Sequence, residues 1–434
     1  MTAKAFPFMP QSAPSALEIE EHRYGWVMVF VTFLLSALAF GGLPAVAVFI
    51  KPLSLEFGWS RAEISLGYTT MAMSAAVAGL GFGVIADRFG TRWSALLGCG
   101  GMGLAYLLQS GQTTLTEMYL TYILFGATGL AVISGPLLIG VGFWFGRNKG
   151  LAIGIVASGG GVGQAMVPVL TQWLIANEGW RDALYWLGIL YLAIAIPLAV
   201  LVRDAPIRNE ARKATGQGNT ALMKSQTGLP AREVMFWLSA AVFFCCTCMA
   251  VLIVHVVPLM TDRGIDSTSA VQVLMALMLA GAVGRLIGGK IADIIGVLPT
   301  FFTMSLGQTA VLYWFVVVDD MALIWLFSIL FGLFFSGVMV SIITSCREFI
   351  PPRIGARGMA VVALFGWGGM GFGGFLGGAG FDWTGGYELP FALGVVAGVV
   401  NLAILTVFAS RIRRRGSMKL WRPKFIPPTE LAVR

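Results

Sequence analysis

Twelve apolar runs, each long enough to cross a hydrocarbon core, constrain this chain more than any other feature. A membrane-spanning helix takes about 20 predominantly apolar residues. The runs fall near 24–50, 62–86, 93–112, 116–145, 149–176, 182–202, 233–260, 268–295, 298–319, 321–347, 355–381 and 387–410. They are continuous apolar stretches with Gly and Pro inside them, as membrane helices tolerate, and they lack the two-residue alternation of an outer-membrane strand. Only 12% of the 434 residues are charged, where a soluble domain carries about a quarter. A soluble enzyme is thereby excluded.

The one long polar connection, 203–231, divides the runs into six plus six. The expected organisation is an N-terminal tail (1–23), a six-helix half (24–202), a linker (203–231), a second six-helix half (232–410) and a basic tail (411–434). The expected fold is all-α and polytopic, with twelve transmembrane helices in two repeats. All Lys and Arg except Lys51, Arg61, Arg181, Arg263 and Arg285 fall in the tails, the linker and the even-numbered short loops. By the positive-inside bias both termini are expected in the cytoplasm, and a bacterial inner membrane is the expected location. The tail cluster Arg411, Arg413, Arg414 and Arg415 suits anionic lipid rather than nucleic acid. Residues 1–23 lack a basic start followed by a short apolar core, so no cleaved leader is expected. The five cysteines lie in or beside the spans and give no disulfide or metal framework.

An internal repeat organises the halves. A gap-free shift of 206 residues superposes Pro52 on Pro258, Leu53 on Leu259, Gly58 on Gly264, Gly83 on Gly289, Ala86 on Ala292, Asp87 on Asp293 and Gly90 on Gly296. It also pairs Phe125-Gly126 with Phe331-Gly332. Chance likeness among apolar runs would match Leu, Ala and Val, not Pro, Gly and Asp in order. Parallel repeats of this kind put a solute site near the midplane, at the interface of the halves.

The segment Gly83-Val84-Ile85-Ala86-Asp87-Arg88-Phe89-Gly90-Thr91-Arg92, with a reduced copy at Gly289-Lys290-Ile291-Ala292-Asp293-Ile294-Ile295-Gly296, resembles the signature loop of the major facilitator superfamily. That resemblance implies that Gly83, Asp87, Arg88, Gly90, Arg92, Gly289 and Asp293 form a conformational gate on the cytoplasmic side. Within the superfamily the chain resembles the monocarboxylate transporter and oxalate:formate antiporter group. The residues that carry this likeness are Phe49 through Trp59 with Pro52 closing the first helix, Trp144 through Gly154, Gly179-Trp180-Arg181, and Arg285. The resemblance further places Tyr122, Ser134, Phe335 and Ser336 on pore-forming helices as substrate contacts. It implies a secondary transporter of small carboxylates that works by alternating access, as a monomer, without a cofactor.

Arg285 stands out without any family. It lies about ten residues from the cytoplasmic end of its run, hence about 15 Å deep. A cation there costs about 2.5–3.5 kcal/mol on insertion scales, so such residues face a cavity and take a partner. No acid in the apolar parts of the runs is evident as that partner; Asp319, Asp320, Glu348 and Asp382 sit near helix ends. A substrate carboxylate, which fits the guanidinium fork in two hydrogen bonds, is the expected counter-ion. His255 is the other interior ionisable group, and two readings stay open for it: proton exchange, or a neutral ring hydrogen-bonded between helices. Lys51, at an outer helix end, is a second candidate for proton coupling. The glycines of Ser158 through Gly163 and of Gly366 through Gly380 read as close helix packing that lets the halves rock. The run 355–381 holds no Lys, and Ala45 and Gly281 stand where the animal carriers have Lys and Asp. By resemblance this favours a monocarboxylate and excludes the animal proton arrangement. An efflux pump for another solute and a non-transporting sensor of the same fold stay open. No Gly-x-x-x-x-Gly-Lys-Ser/Thr loop is present, so solute or ion gradients must drive any transport.

Overall fold

The computed structural model describes residues 23–133, 137–141, 144–145, 149–205, 229–350 and 355–414. Among the described residues, twelve helical segments cross the bundle in turn. In the first half they are α1 (Arg23–Phe57), α2 (Arg61–Phe89), α3 (Thr91–Ser110), α4 (from Leu115–Phe125 into a π-helical turn, Gly126–Leu130), α5 (Lys149–Glu178) and α6 (Trp180–Leu201). In the second half they are α7 (Ala231–Asp262), α8 (Ser267–Ile295), α9 (Val297–Leu312), α10 (Met321–Phe349), α11 (Gly355–Thr384) and α12 (Glu388–Arg414). Among the described residues, nine of these helices are long and apolar enough to cross a membrane by composition alone. The end of the bundle holding Arg23 and Arg414 is the terminal face; the opposite end is the distal face.

The 206-residue repeat is written into the backbone. Glycines at positive φ occur at Gly58 and Gly264, Gly90 and Gly296, and Gly179 and Gly385. Each pair is one repeat apart, and each ends or begins a helix where an L side chain would be strained. Helix starts repeat too. Ser60 caps α2 in a capping box with Glu63, and its counterpart Asp266 caps α8. Thr114 caps α4 in a capping box with Glu117, and its counterpart Asp320 caps α10. These oxygens take up N–H groups that the first helical turn leaves without partners.

Two expectations about helix continuity change. Pro52 does not close the first helix: α1 runs through both Pro44 and Pro52 to Phe57, and Pro258 likewise lies inside α7. Each proline removes one intrahelical hydrogen bond, a loss that packed neighbours and local adjustments absorb in a membrane bundle. The fourth span, expected as one run over 116–145, turns π-helical at Gly126–Leu130 and holds a separate short helix at Leu138–Val141. Gly126 sits there so close to α2 that a Cβ would lie 2.1 Å from the Met71 carbonyl oxygen.

Within each half the packing is duplicated. Helix α1 lies on α5 as α7 lies on α11; α3 lies on α6 as α9 lies on α12; α2 lies on α4 as α8 lies on α10. Matching glycines bring the backbones together. A Cβ on Gly163 would stand 1.8 Å from Ala37 O, and one on Gly369 would stand 2.2 Å from Phe243 O. Gly126 against Met71 O is matched by Gly332 against Leu277 O. One buried apolar cluster draws almost all its members from residues 28–205, the other from 229–412. The halves meet where α2 faces α11, α5 faces α8 and α1 faces α7.

The glycines of α11 divide between two faces. Gly369, Gly373 and Gly377 press on α7 within the half, whereas Gly371, Gly374 and Gly378 meet Thr69, Tyr68 and Arg61 of α2 across the seam. The second set, with Gly161 of α5 against Ala282 of α8, lies where the halves would move against each other.

Candidate functional site

Arg285 projects from the middle of α8 into the α5–α8 seam between the halves. Its Nη1 donates to Ala157 O on α5 at 2.8 Å, and Gly161, one turn further on, leaves room beside the guanidinium. Among the described residues no carboxylate pairs with it; the ion pairs there involve other cations. One N–H of a five-donor fork is thus engaged by a neutral carbonyl, and the charge is uncompensated.

Two of the expected substrate contacts lie on α10, against the helix that carries Arg285. Phe335 and Ser336 of α10 pack on Gly281, one turn from Arg285, where a Cβ would stand 2.6 Å from Ser336 Oγ. The Ser336 hydroxyl is buried without a partner. Tyr122 lies elsewhere, packed on Gly67 of α2 and lining a void of about 10 Å³ with Tyr106 and Phe125 in the first half. Ser134 lies outside the described residues.

His255 is fully buried between α7 and α11. Its Nε2 meets Gly374 O at 2.7 Å, Nδ1 has no partner, and Gly377 lies flat against the ring. Lys51, on the distal part of α1, donates to Thr261 O at 3.2 Å and lies 3.9 Å from Asp262.

At the terminal face, Gly83 and Asp87 fall in the last two turns of α2, while Arg88 and Arg92 are exposed on either side of Gly90. Gly289 and Asp293 occupy the matching end of α8, with Asp293 exposed. The loop has a partner that sequence reasoning missed. Gly90 offers α3 no capping side chain, and Asp204, just past α6, supplies one: it accepts from Thr91 N at 3.1 Å and from Thr91 Oγ1. A lone acid at the start of a polar linker gave no signal for this.

A second missed feature pins the distal ends of the halves. Arg61, the first residue of α2, reaches into the second half, where its Nη1 lies 2.5 Å from Asp262 Oδ2 and donates to the Tyr387 hydroxyl at 2.5 Å. Its guanidinium also lies over the Phe381 ring, 3.7 Å from the centroid. Asp382 accepts from the backbone N–H groups of Arg61 and Ala62, at 3.0 and 2.7 Å, so an acid of one half caps a helix of the other. Further along α2, Thr69 Oγ1 donates to Gly371 O at 2.7 Å. Nearby, two sequence segments noted for their family likeness converge: Glu56 pairs with Arg181 at 2.9 Å and accepts from Trp180 Nε1.

The sequence profile described as Major Facilitator Superfamily matches residues 26–374. The chain belongs to the major facilitator superfamily. That family is one of polytopic membrane transporters rather than of enzymes. Monocarboxylate transporter 2 of Mesocricetus auratus is 24% identical to it over 366 residues, 79% of this chain and 74% of that one. Monocarboxylate transporter 13 of Bos taurus is 27% identical over 274 residues; the match spans 62% of each chain, so less than two thirds of the bovine relative is covered. Among solved structures, a bacterial homolog of the human lysosomal transporter Spinster superposes with a TM-score of 0.67 at 16% identity, covering 93% of this chain and 100% of that one. The xylose transporter XylE of E. coli superposes with a TM-score of 0.68 at 12% identity, covering 89% and 99%. These structures share the major facilitator fold with this chain.

Proposed function

We propose that this major facilitator carries small organic anions, monocarboxylates foremost, by alternating access coupled to proton movement. The observation that carries the reading is Arg285: a guanidinium at mid-bundle, in the seam of the two halves, bonded to a backbone carbonyl and to no carboxylate among the described residues. In a low-dielectric seam an anion with two oxygens gains most from such a fork, and release of the anion restores the uncompensated charge. That the relatives at about 25% identity are named monocarboxylate transporters supports the same class. In this reading the termini face the cytoplasm, the membrane is a bacterial inner membrane, and one chain suffices for transport. The signature loop, with Asp87 at its centre, sets the exchange between states.

Uptake of radiolabelled mono- and dicarboxylates into proteoliposomes, with and without a pH gradient, tests it. Arg285→Gln should abolish anion uptake while the protein still inserts and folds, and Arg285→Lys should rescue poorly because it keeps charge but loses the fork. Normal uptake by the Gln variant would overturn the assignment. Export of apolar or cationic compounds would mark an efflux pump, and saturable binding without flux would mark a sensor.

A further inference from the structure

A cavity of about 260 Å³ lies at the distal end of the seam, walled by α1, α5, α7 and the first turn of α8. Four polar side chains line it, Lys51, Gln172, Thr261 and Ser267, and the rest of its wall is apolar, with Pro52 and Val257 among it. A mostly apolar concavity with a few convergent polar groups is the make-up of small-molecule sites, which measure about 300–1,000 Å³ for drug-sized ligands. This one suits something smaller.

Lys51 sets the charge of the ligand. Its ammonium has three N–H donors, and one is used on Thr261 O. Its nearest carboxylate, Asp262, is 3.9 Å away through Oδ1 and holds Arg61 at 2.5 Å through Oδ2. The acid is shared and lies closer to the arginine, which leaves lysine donors for a second anion. The apolar wall beside it calls for a tail. Along α8, Ser267 and Arg285 are about 27 Å apart at 1.5 Å per residue, too far for one small molecule to touch both.

We propose that this cavity is a second binding site, a vestibule for a short-chain monocarboxylate with its head on Lys51 and its tail against α1 and α7. The inference rests on the substrate class proposed above but not on the Arg285 site. An anion held here waits beside the Arg61–Asp262 pair that pins the distal ends, ready for the halves to part.

The test reads the cavity itself. Ser267→Cys is introduced and its modification by a membrane-impermeant methanethiosulfonate is followed with butyrate as the probe. Phosphatidylcholine nanodiscs are used so that no anionic headgroup competes. Butyrate at ten times its Kd should slow modification roughly tenfold. The same protection should appear with Arg285→Gln, persist with Lys51→Arg, and vanish with Lys51→Gln. Absence of protection in the Ser267→Cys parent, or protection that survives Lys51→Gln, would overturn the vestibule. Protection lost with Arg285→Gln would also overturn it, since the effect would then be transmitted from mid-bundle. Uptake measured on the same Arg285→Gln protein reports separately on the central site.

Discussion

Arg61 of α2 and Asp262 of α7 meet at 2.5 Å across the two halves, with the arginine side chain only 12% exposed. Asp382 holds the backbone of the same turn, so the distal ends are joined by side chain and main chain together. Lifting this latch should favour the state in which the distal face opens. A charge-assisted hydrogen bond contributes about 1.5–3 kcal/mol, and at the lower end the ratio of open to closed molecules should rise roughly tenfold in Arg61→Gln. Spin labels on Leu55→Cys and Trp383→Cys, both exposed at the distal end of opposite halves, would report it. An unchanged distance distribution would show that the pair does not bias the equilibrium.

Gly163 should tolerate no side chain. Its Cβ would stand 1.8 Å from Ala37 O, a backbone atom that cannot swing aside. Gly163→Ala should destabilise the protein by about 1–3 kcal/mol, as overpacking does. Gly369→Ala, one repeat on and pressed against Phe243 O, should behave alike. Gly154, with nothing within 4 Å of its Cβ position, serves as the control. Thermal unfolding in detergent would measure all three, and equal melting temperatures would contradict this account of the α1–α5 packing.

What the sequence reveals and what it hides divide along physical lines. The spans are legible because hydrocarbon demands long apolar runs, and the repeat because Gly at helix ends and Pro within the last two turns of α1 and α7 recur one repeat apart. Arg285 is legible because a cation deep in an apolar run is too costly to keep unless it meets a ligand or a partner. Arg61 and Asp204 are not, because a charge at a helix end is ordinary in any membrane protein. Only the folded chain shows that Arg61 crosses to the other half, and that Asp204 caps a helix that begins with a bare glycine. The end of α1 is misjudged from sequence for a related reason: Pro52 stops a helix in water more readily than in a packed bundle, where α1 continues to Phe57.

The Asp204–Thr91 contact fixes the start of α3 beside the signature loop, so Asp204→Asn should slow turnover while leaving apparent substrate affinity close to wild type. Gly90→Ala is the sharper variant. At φ +92° an L side chain costs about 1–2 kcal/mol, and its Cβ would also stand 2.6 Å from Asp204 Oδ2. Initial-rate uptake would separate the two effects. A rise in KM with unchanged maximal rate would place these residues in binding instead.

His255→Gln should lower stability without altering the pH profile of uptake. The ring is fully buried and bonded to Gly374 O within the α7–α11 packing, and Gly377 leaves it no room to turn. Uptake at several pH values for wild type and variant should give parallel curves, with the variant melting at lower temperature. A pH dependence flattened in the variant would make His255 the proton carrier.

Monocarboxylates should outcompete oxalate. At mid-bundle Arg285 offers one guanidinium, and Phe335 and Ser336, on α10 against the same helix, add an aromatic ring and a neutral hydroxyl. Between Gly358 and Phe381 of α11 the side chains are apolar or glycine. One fork neutralises one carboxylate. A second carboxylate in the same low-dielectric seam would be unpaired, at an effective penalty of several kcal/mol. Competition against labelled lactate uptake should therefore show short monocarboxylates inhibiting at concentrations at least about a hundredfold below oxalate, the ratio that about 2.7 kcal/mol gives. Oxalate inhibiting as well as lactate in the wild type would mean that a second cation reaches the anion in another state of the transport cycle.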